Sequence, residues 1–72
     1  MRWPEGREIE IASVAENEAT LAEARLNERR TEEVVTRNLA SDADLDAARA
    51  ARERAAARVT SARASVREAE AA

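Results

Sequence analysis

The chain is short, mildly acidic and free of both cysteine and histidine, and these features exclude several classes of protein. Its 72 residues carry a formal net charge of −3. Without cysteine or histidine it can form no disulfide or thiolate metal site, and it lacks the usual general base. With a single aromatic residue it offers no platform on which bases could stack. We therefore expect no enzymatic activity, no cofactor and no nucleic-acid partner.

No apolar run approaches the roughly 18 residues of a membrane span, and no signal-peptide core is visible. We therefore expect neither a direct membrane span nor a targeting signal in this chain. The high alanine, glutamate and arginine content is typical of a long helix or coiled coil. Pro4 and Gly6 predict an irregular head over residues 1–6, or a remnant of cutting a domain out of a longer gene.

The first predicted helix covers about residues 7–38, where no proline or glycine interrupts the chain. Two sets of residues recur at heptad spacing and predict the face that meets a partner helix. The first set is mostly apolar: Val14, Leu21, Glu28 and Val35. The second set is mostly charged: Glu18, Arg25, Glu32 and Leu39. This half therefore reads as an imperfect coiled-coil strand.

A turn is predicted over residues 38–41, within Asn38–Asp42, where one helical pattern stops and another starts. Ser41 is followed three residues later by Asp44, which is a carboxylate variant of the capping box. Asp42, Asp44 and Asp46 place negative charge where a helix N-terminus is partly positive. A second helix is therefore predicted from about residue 42 to about residue 71.

The second helix has a cleaner heptad pattern than the first. One row is Leu45, Arg52, Val59 and Val66. The other row is alanine throughout: Ala48, Ala55, Ala62 and Ala69. Because alanine lets two backbones approach closely, the partner helix should supply larger side chains.

These patterns predict an all-α fold, an antiparallel two-helix coiled-coil hairpin. The register that best matches large residues with small ones places Leu21 opposite Ala62. The same register sets Glu32 opposite Arg52, which predicts an ion pair across the seam. The predicted seam residues are Val14, Leu21, Val35, Leu39, Leu45, Ala48, Ala55, Val59, Ala62, Val66 and Ala69.

One calcium-like pattern lies at the start of the second helix. Asp42, Asp44, Asp46 and Glu53 occupy positions one, three, five and twelve of an EF-hand loop. Ala47 stands where such a loop requires glycine, and the alanine row runs through the same stretch. Because a continuous helix cannot wrap these groups around one ion, we expect no metal.

The turn and the return helix resemble those of the periplasmic adaptor proteins, the HlyD-type membrane fusion proteins of bacterial efflux and secretion systems. The segment Ser41–Ala48 is similar to the family pattern S-x-x-x-L-D-x-A that opens the second hairpin helix. Upstream, Arg30, Val34 and Ser41 stand at the spacing of the tip motif R-x-x-x-L-x-x-x-x-x-x-S, with valine in place of leucine. The resemblance covers roughly Arg25–Ala69.

The resemblance implies a protein–protein interaction module that docks tip-first on a TolC-like outer-membrane channel in a tripartite efflux or secretion assembly. Carried over by position, Arg30 is the polar tip contact and Val34 the apolar one. Ser41 is both the helix cap and a tip contact. Other copies of the adaptor would be further partners, in a ring. The parent protein is then expected to be periplasmic or otherwise extracytoplasmic.

Two other interpretations remain open at this point. A free-standing helical hairpin could homodimerise into a four-helix bundle with a purely structural role. A small helical nucleic-acid regulator is the third interpretation, and the acidic charge balance opposes it.

Overall fold

The computed structural model describes residues 6–71, which form two long helices joined by a short turn. Helix α1 spans Gly6–Thr36 and helix α2 spans Asp42–Ala71. The helices pack side by side in opposite directions, in a rod of 55 × 23 × 12 Å. The described residues contain no strand, and the predicted all-α helical hairpin is confirmed. The predicted irregular head lies outside the described residues, apart from Gly6, which begins α1.

Helix α1 ends two residues before its predicted end, and the backbone of Asn38 is the reason. Asn38 has a φ of 59°, in the left-handed region that asparagine tolerates better than most residues. Its N–H donates to the carbonyl of Val35 at 2.9 Å, and the N–H of Leu39 donates to that of Val34 at 2.8 Å. These two bonds form a Schellman motif, which supplies donors to the last carbonyls of α1 and stops the helix.

Helix α2 begins with the predicted capping box. The N–H of Asp44 donates to Ser41 Oγ at 3.2 Å, and the N–H of Ser41 donates to Asp44 Oδ2 at 2.9 Å. The Ser41 hydroxyl also donates to Asp44 Oδ2 at 2.9 Å. Because α1 is closed by Asn38 and α2 is opened by Ser41, hydrogen bonds fix the connecting turn from both sides.

The core between the helices is thin and consists mostly of alanine. Leu21 of α1 contacts Ala55 and Val59 of α2, and Ala24 and Ala56 pack against this cluster. The buried apolar residues in the described part of the chain are Leu21, Ala48, Ala55, Val59 and Ala62. The predicted seam residues that are half-buried are Val14, Val35, Leu45, Val66 and Ala69. Both predicted rows of α2 therefore lie against α1.

The second predicted row of α1 is wrong. All four of its residues are exposed: Glu18, Arg25, Glu32 and Leu39. Its place is taken by residues one position earlier in each heptad, which are half-buried: Asn17, Ala24 and Thr31. Neither the predicted nor the observed set is strongly apolar, so hydrophobicity gave no clear choice between them. Leu39 was the one large apolar residue that favoured the predicted set.

The predicted register is also wrong, by about one helical turn. Leu21, predicted opposite Ala62, contacts Ala55 and Val59 instead. The predicted register required α1 to continue through residue 38, so that the chain would reverse near Asp42. Because α1 stops at Thr36, the chain reverses about two residues earlier, and every pair across the seam shifts by about twice that amount, which is one helical turn.

The cross-seam ion pair shifts in the same way, so the predicted partner of Arg52 is wrong. Arg52 Nε lies 3.3 Å from Glu28 Oε1, and Arg52 Nη2 lies 3.4 Å from Glu28 Oε2, whereas Glu32 is exposed. The Glu28 side chain is only 16% exposed and that of Arg52 is 34% exposed. The pair fills the one gap in the apolar row of α1 with matched charges.

A second ion pair joins the helices nearer their open end. Arg63 Nη2 lies 2.9 Å from Glu18 Oε1, and both side chains are well exposed. Within residues 6–71, no buried side-chain nitrogen or oxygen lacks a hydrogen-bond partner. Neither α1 nor α2 is long and apolar enough to cross a membrane.

A double-mutant cycle tests the observed register. We expect Glu28→Gln and Arg52→Gln to be coupled by about 0.5–1 kcal/mol, because their ion pair is only partly screened by solvent. The matched control is the cycle of Arg52→Gln with Glu32→Gln, which should give a coupling near zero. The measurement is the free energy of unfolding by urea, and a larger coupling to Glu32 than to Glu28 would restore the predicted register.

Candidate functional site

The three residues predicted to contact a partner lie at one end of the rod, which we call the tip and define as residues 30–46. Arg30 is exposed near the end of α1, Val34 is half-buried one helical turn later, and Ser41 is exposed at the start of α2. No hydrogen bond in the described part of the chain joins these three side chains to one another. Each can therefore meet a partner independently.

Arg30 belongs to a group of three exposed arginines on the α1 side of the tip, with Arg29 and Arg37. None of the three lies within ion-pair distance of a carboxylate among residues 6–71. A shallow polar depression lined by Arg29, Glu32, Glu33, Thr36 and Arg37 lies on the same part of α1. A guanidinium without an internal partner keeps its planar set of donors available for a carboxylate or carbonyl of another molecule.

Val34 has a structural role as well as an exposed surface. Its carbonyl accepts the N–H of Leu39, so its main chain is part of the motif that ends α1. Its side chain is half-buried against the rest of the hairpin. It can therefore offer a partner only part of a small apolar side chain.

Ser41 is already occupied in the free hairpin. Its hydroxyl donates to the carboxylate of Asp44 and accepts the Asp44 N–H, and its own N–H also binds that carboxylate. A hydroxyl oxygen has two lone pairs, so one acceptor position remains. A partner can donate to that position without disturbing the cap.

The cap holds a negative charge on the α2 side of the tip. The N–H of Ser41, and then its hydroxyl, hold the pKa of the Asp44 carboxyl below its usual value. Asp42 lies in the same first turn of α2, where the helix N-terminus favours anions, and Asp46 follows just after that turn. The α2 side of the tip is therefore acidic, whereas the α1 side carries arginines and glutamates together.

Sequence reasoning missed Leu39, which it placed in the seam. The structure places it in the turn, where its side chain is 74% exposed. The signal that could have found it is Asn38, because asparagine is one of the few residues that commonly end a helix in the left-handed conformation. A helix that ends at this position leaves the next residue outside it.

The carboxylates that formed the calcium-like pattern lie along one continuous helix, from Asp42 to Glu53. In the part of the chain that the structure describes, no three carboxylates come together as a metal site would require. The carboxylate of Glu53 lies 4.0 Å from Arg52 instead.

The stability of the tip should depend on pH through Asp44. Because its pKa is lowered in the folded state, its contribution is complete above the usual carboxyl pKa and is lost as pH falls through the lowered value. We expect Asp44→Ala to melt below the wild type at pH 7, and the gap to close towards pH 2. Thermal melts followed by circular dichroism at 222 nm give the melting temperatures of the two proteins at each pH.

Asp46→Ala is the control, because it removes a carboxylate near the same helix start without removing the capping box. Its effect at pH 7 should be smaller than that of Asp44→Ala. An Asp44→Ala gap that persists unchanged at pH 2 would mean that the charged cap does not stabilise the hairpin.

Comparison with known proteins places this geometry in a family. The family described as RND MFP, alpha-helical hairpin domain, matches residues 10–72. Searches of curated proteins and of solved structures gave no match. The family consists of non-catalytic structural domains of periplasmic adaptors in RND efflux systems. Since the match covers both helices and the turn, the resemblance inferred from the sequence is confirmed, and the chain belongs to the α-helical hairpin domains of RND membrane fusion proteins.

Proposed function

We propose that this hairpin docks by its tip on the periplasmic end of a TolC-like outer-membrane channel, in a tripartite efflux or secretion assembly. Membership of the adaptor family supports an interaction role in the periplasm. The observation that carries the proposal is the exposed Arg30, without an internal ion-pair partner, one helical turn from Val34 at the end of a 55 Å rod. A partner that binds at this end of the rod can contact these groups.

The polar part of the contact is assigned to Arg30. Its guanidinium can donate two parallel hydrogen bonds to a carboxylate, or single bonds to the carbonyls that end a helix. Such charge-assisted bonds fix the orientation of a small contact as well as strengthening it. Arg29 and Arg37 lie nearby, but Glu32 and Glu33 between them offset their positive charge, so the polar contact is assigned to Arg30 itself.

The apolar and capping parts of the contact are assigned to Val34 and Ser41. Val34 can fill a shallow depression between partner helices, while Ser41 can accept one hydrogen bond there. Because both residues belong to the hydrogen-bonded turn, their backbones are already ordered before binding. Prior order lowers the entropy cost of docking.

A single tip buries little surface, so one hairpin should bind weakly. Several adaptor copies in a ring would present several tips to one channel, and their combined binding would be much stronger than that of one. The proposal therefore includes other adaptor copies as partners, and it predicts a strong dependence of binding on the density of hairpins.

Substitutions at the tip test the docking role. With the biotinylated chain immobilised densely and a purified TolC-like channel from the same genome in solution, we expect Arg30→Ala to weaken binding about tenfold, since it removes the charge-assisted bonds. Arg30→Lys should recover only part of this loss, because lysine lacks the planar fork. Val34→Leu should strengthen binding severalfold by enlarging the apolar contact.

Arg67→Ala is the matched control, because Arg67 is an exposed arginine near the opposite end of the rod. It should bind the channel as the wild type does. If Arg30→Ala and Arg67→Ala bind equally well to a channel shown to be competent with another adaptor, tip docking through Arg30 is refuted.

A second candidate function is a homodimer in which two hairpins form a four-helix bundle. The observation that favours it is an apolar depression near the open end, lined in part by Ile11, Val14 and Val66. Ile11 and the neighbouring Ile9 are each at least half exposed. A second copy that covered this depression would remove Ile11 from water.

Sedimentation velocity tests the dimer independently of any channel. If the homodimer forms through this depression, the wild type should sediment as a dimer at micromolar concentration, and Ile11→Arg should sediment as a monomer with unchanged helicity. Ile11→Val keeps the position apolar and serves as the control. A wild type that remains monomeric up to millimolar concentration would exclude the homodimer as a function of this chain.

A further inference from the structure

Leu39 is the most exposed of the large apolar side chains in the described residues. It is 74% exposed, against 57% for Ile9, 50% for Ile11 and 40% for Leu26. The other three lie along α1, whereas Leu39 lies in the turn at the tip. A single exposed leucine on a helix is ordinary, so the position and the rigidity of Leu39 carry the inference.

The backbone at Leu39 is fixed on both sides. Its own N–H is bound to the carbonyl of Val34 at 2.8 Å, and Asn38 before it holds the left-handed conformation. After it, Ala40 is half-buried and Ser41 is held by the capping box. The leucine is therefore presented to solvent by an ordered turn, and binding would require little further ordering of the backbone.

The Schellman motif would allow the Leu39 side chain to pack against α1, but the side chain remains largely exposed. In a Schellman motif the residue at this position commonly packs against the residue five positions earlier, which here is Val34. With 74% of its surface exposed, Leu39 makes at most a slight contact of this kind. A departure from a local packing rule without compensation inside the fold is typical of a functional position.

We propose that Leu39 is the apolar anchor of the tip, which inserts into a crevice between two helices at the periplasmic end of the channel. This inference rests on the proposed docking function and names a fourth contact residue for it. Leu39 enters the crevice, Val34 contacts its edge, and Arg30 binds acceptors on its rim. The partner surface is thus an apolar crevice between helices, bordered by carboxylates or free carbonyls.

Leu39 suits the role of anchor better than Val34 does. Val34 is smaller and half-buried, so it has less apolar surface to remove from water. Residues that dominate small interfaces are those that fill a pocket and lose nearly all their exposure on binding. Most of the surface of Leu39 is exposed and could be buried by a partner. Because its side chain packs little against the hairpin, its truncation should change the stability of the hairpin little.

The test compares Leu39→Ala with Leu39→Met and with the matched control Leu26→Ala, in the channel-binding assay described above. We expect Leu39→Ala to weaken binding about tenfold, Leu39→Met to stay within about threefold of the wild type, and Leu26→Ala to have no effect. Circular dichroism should give the same helicity and closely similar melting temperatures for all of them.

A second pair of variants tests the placement of Leu39 while the leucine is kept. Asn38→Gly preserves the left-handed turn and should bind as the wild type does, because glycine adopts this conformation freely. Asn38→Val disfavours it and should weaken binding even though every contact residue remains. Equal binding by these two variants would mean that the fixed position of Leu39 is not needed.

The outcomes separate this inference from the docking proposal. If Arg30→Ala binds weakly and Leu39→Ala binds like the wild type, the tip docks without Leu39 as its anchor, and only this inference is overturned. If Leu39→Met is as weak as Leu39→Ala, the site does not accept a general apolar side chain, and the crevice is overturned. If the wild type does not bind a competent channel, the docking proposal fails and the anchor fails with it.

Discussion

The left-handed turn at Asn38 is the constraint on which the rest of the hairpin depends. It stops α1 at Thr36 through two hydrogen bonds and thereby sets where the chain reverses. The point of reversal sets the register of the two helices, and the register decides that Arg52 meets Glu28. The same stop leaves Leu39 outside the helix and exposes it at the tip. One backbone conformation therefore shapes both the seam and the tip.

Turn chemistry has this influence because the seam itself is weak. Among residues 8–71, four of the five buried apolar residues are alanine or valine, and each buried methylene is worth only about 0.8 kcal/mol. An N-cap such as Ser41 is generally worth about 0.5–2 kcal/mol, comparable with burying one of these side chains. The hydrogen bonds that end α1 and begin α2 can therefore determine the register, even where the packing of large side chains against alanine would favour another one.

The same comparison explains which features the sequence could predict. Helix α2 was predictable because both of its rows repeat strictly, and Ser41 and Asp44 have one obvious joint role. In α1 the row of Val14 and Leu21 was clear. The neighbouring row is largely polar both in the predicted set of residues and in the set that the structure shows. The decisive fact, a left-handed Asn38, depends on a single residue whose side chain also fits a helix. Arg30, Val34 and Ser41 are proposed as contacts from the spacing of the family's tip motif, whereas the proposal of Leu39 required the true end of α1.

The hydrogen bonds at the tip give its two sides different parts in the proposed docking. Ser41 is committed to Asp44 through its N–H and both roles of its hydroxyl, so a partner that claimed more than its one remaining lone pair would weaken the start of α2. On the α1 side, Arg30 and Leu39 have no such internal commitment of their side chains among residues 6–71. In the proposed docking, binding would therefore come chiefly from the α1 side and the turn, while Ser41 holds their geometry. A partner could bind Arg30 and Leu39 without weakening the hydrogen bonds by which Ser41 and Asp44 stabilise the start of α2.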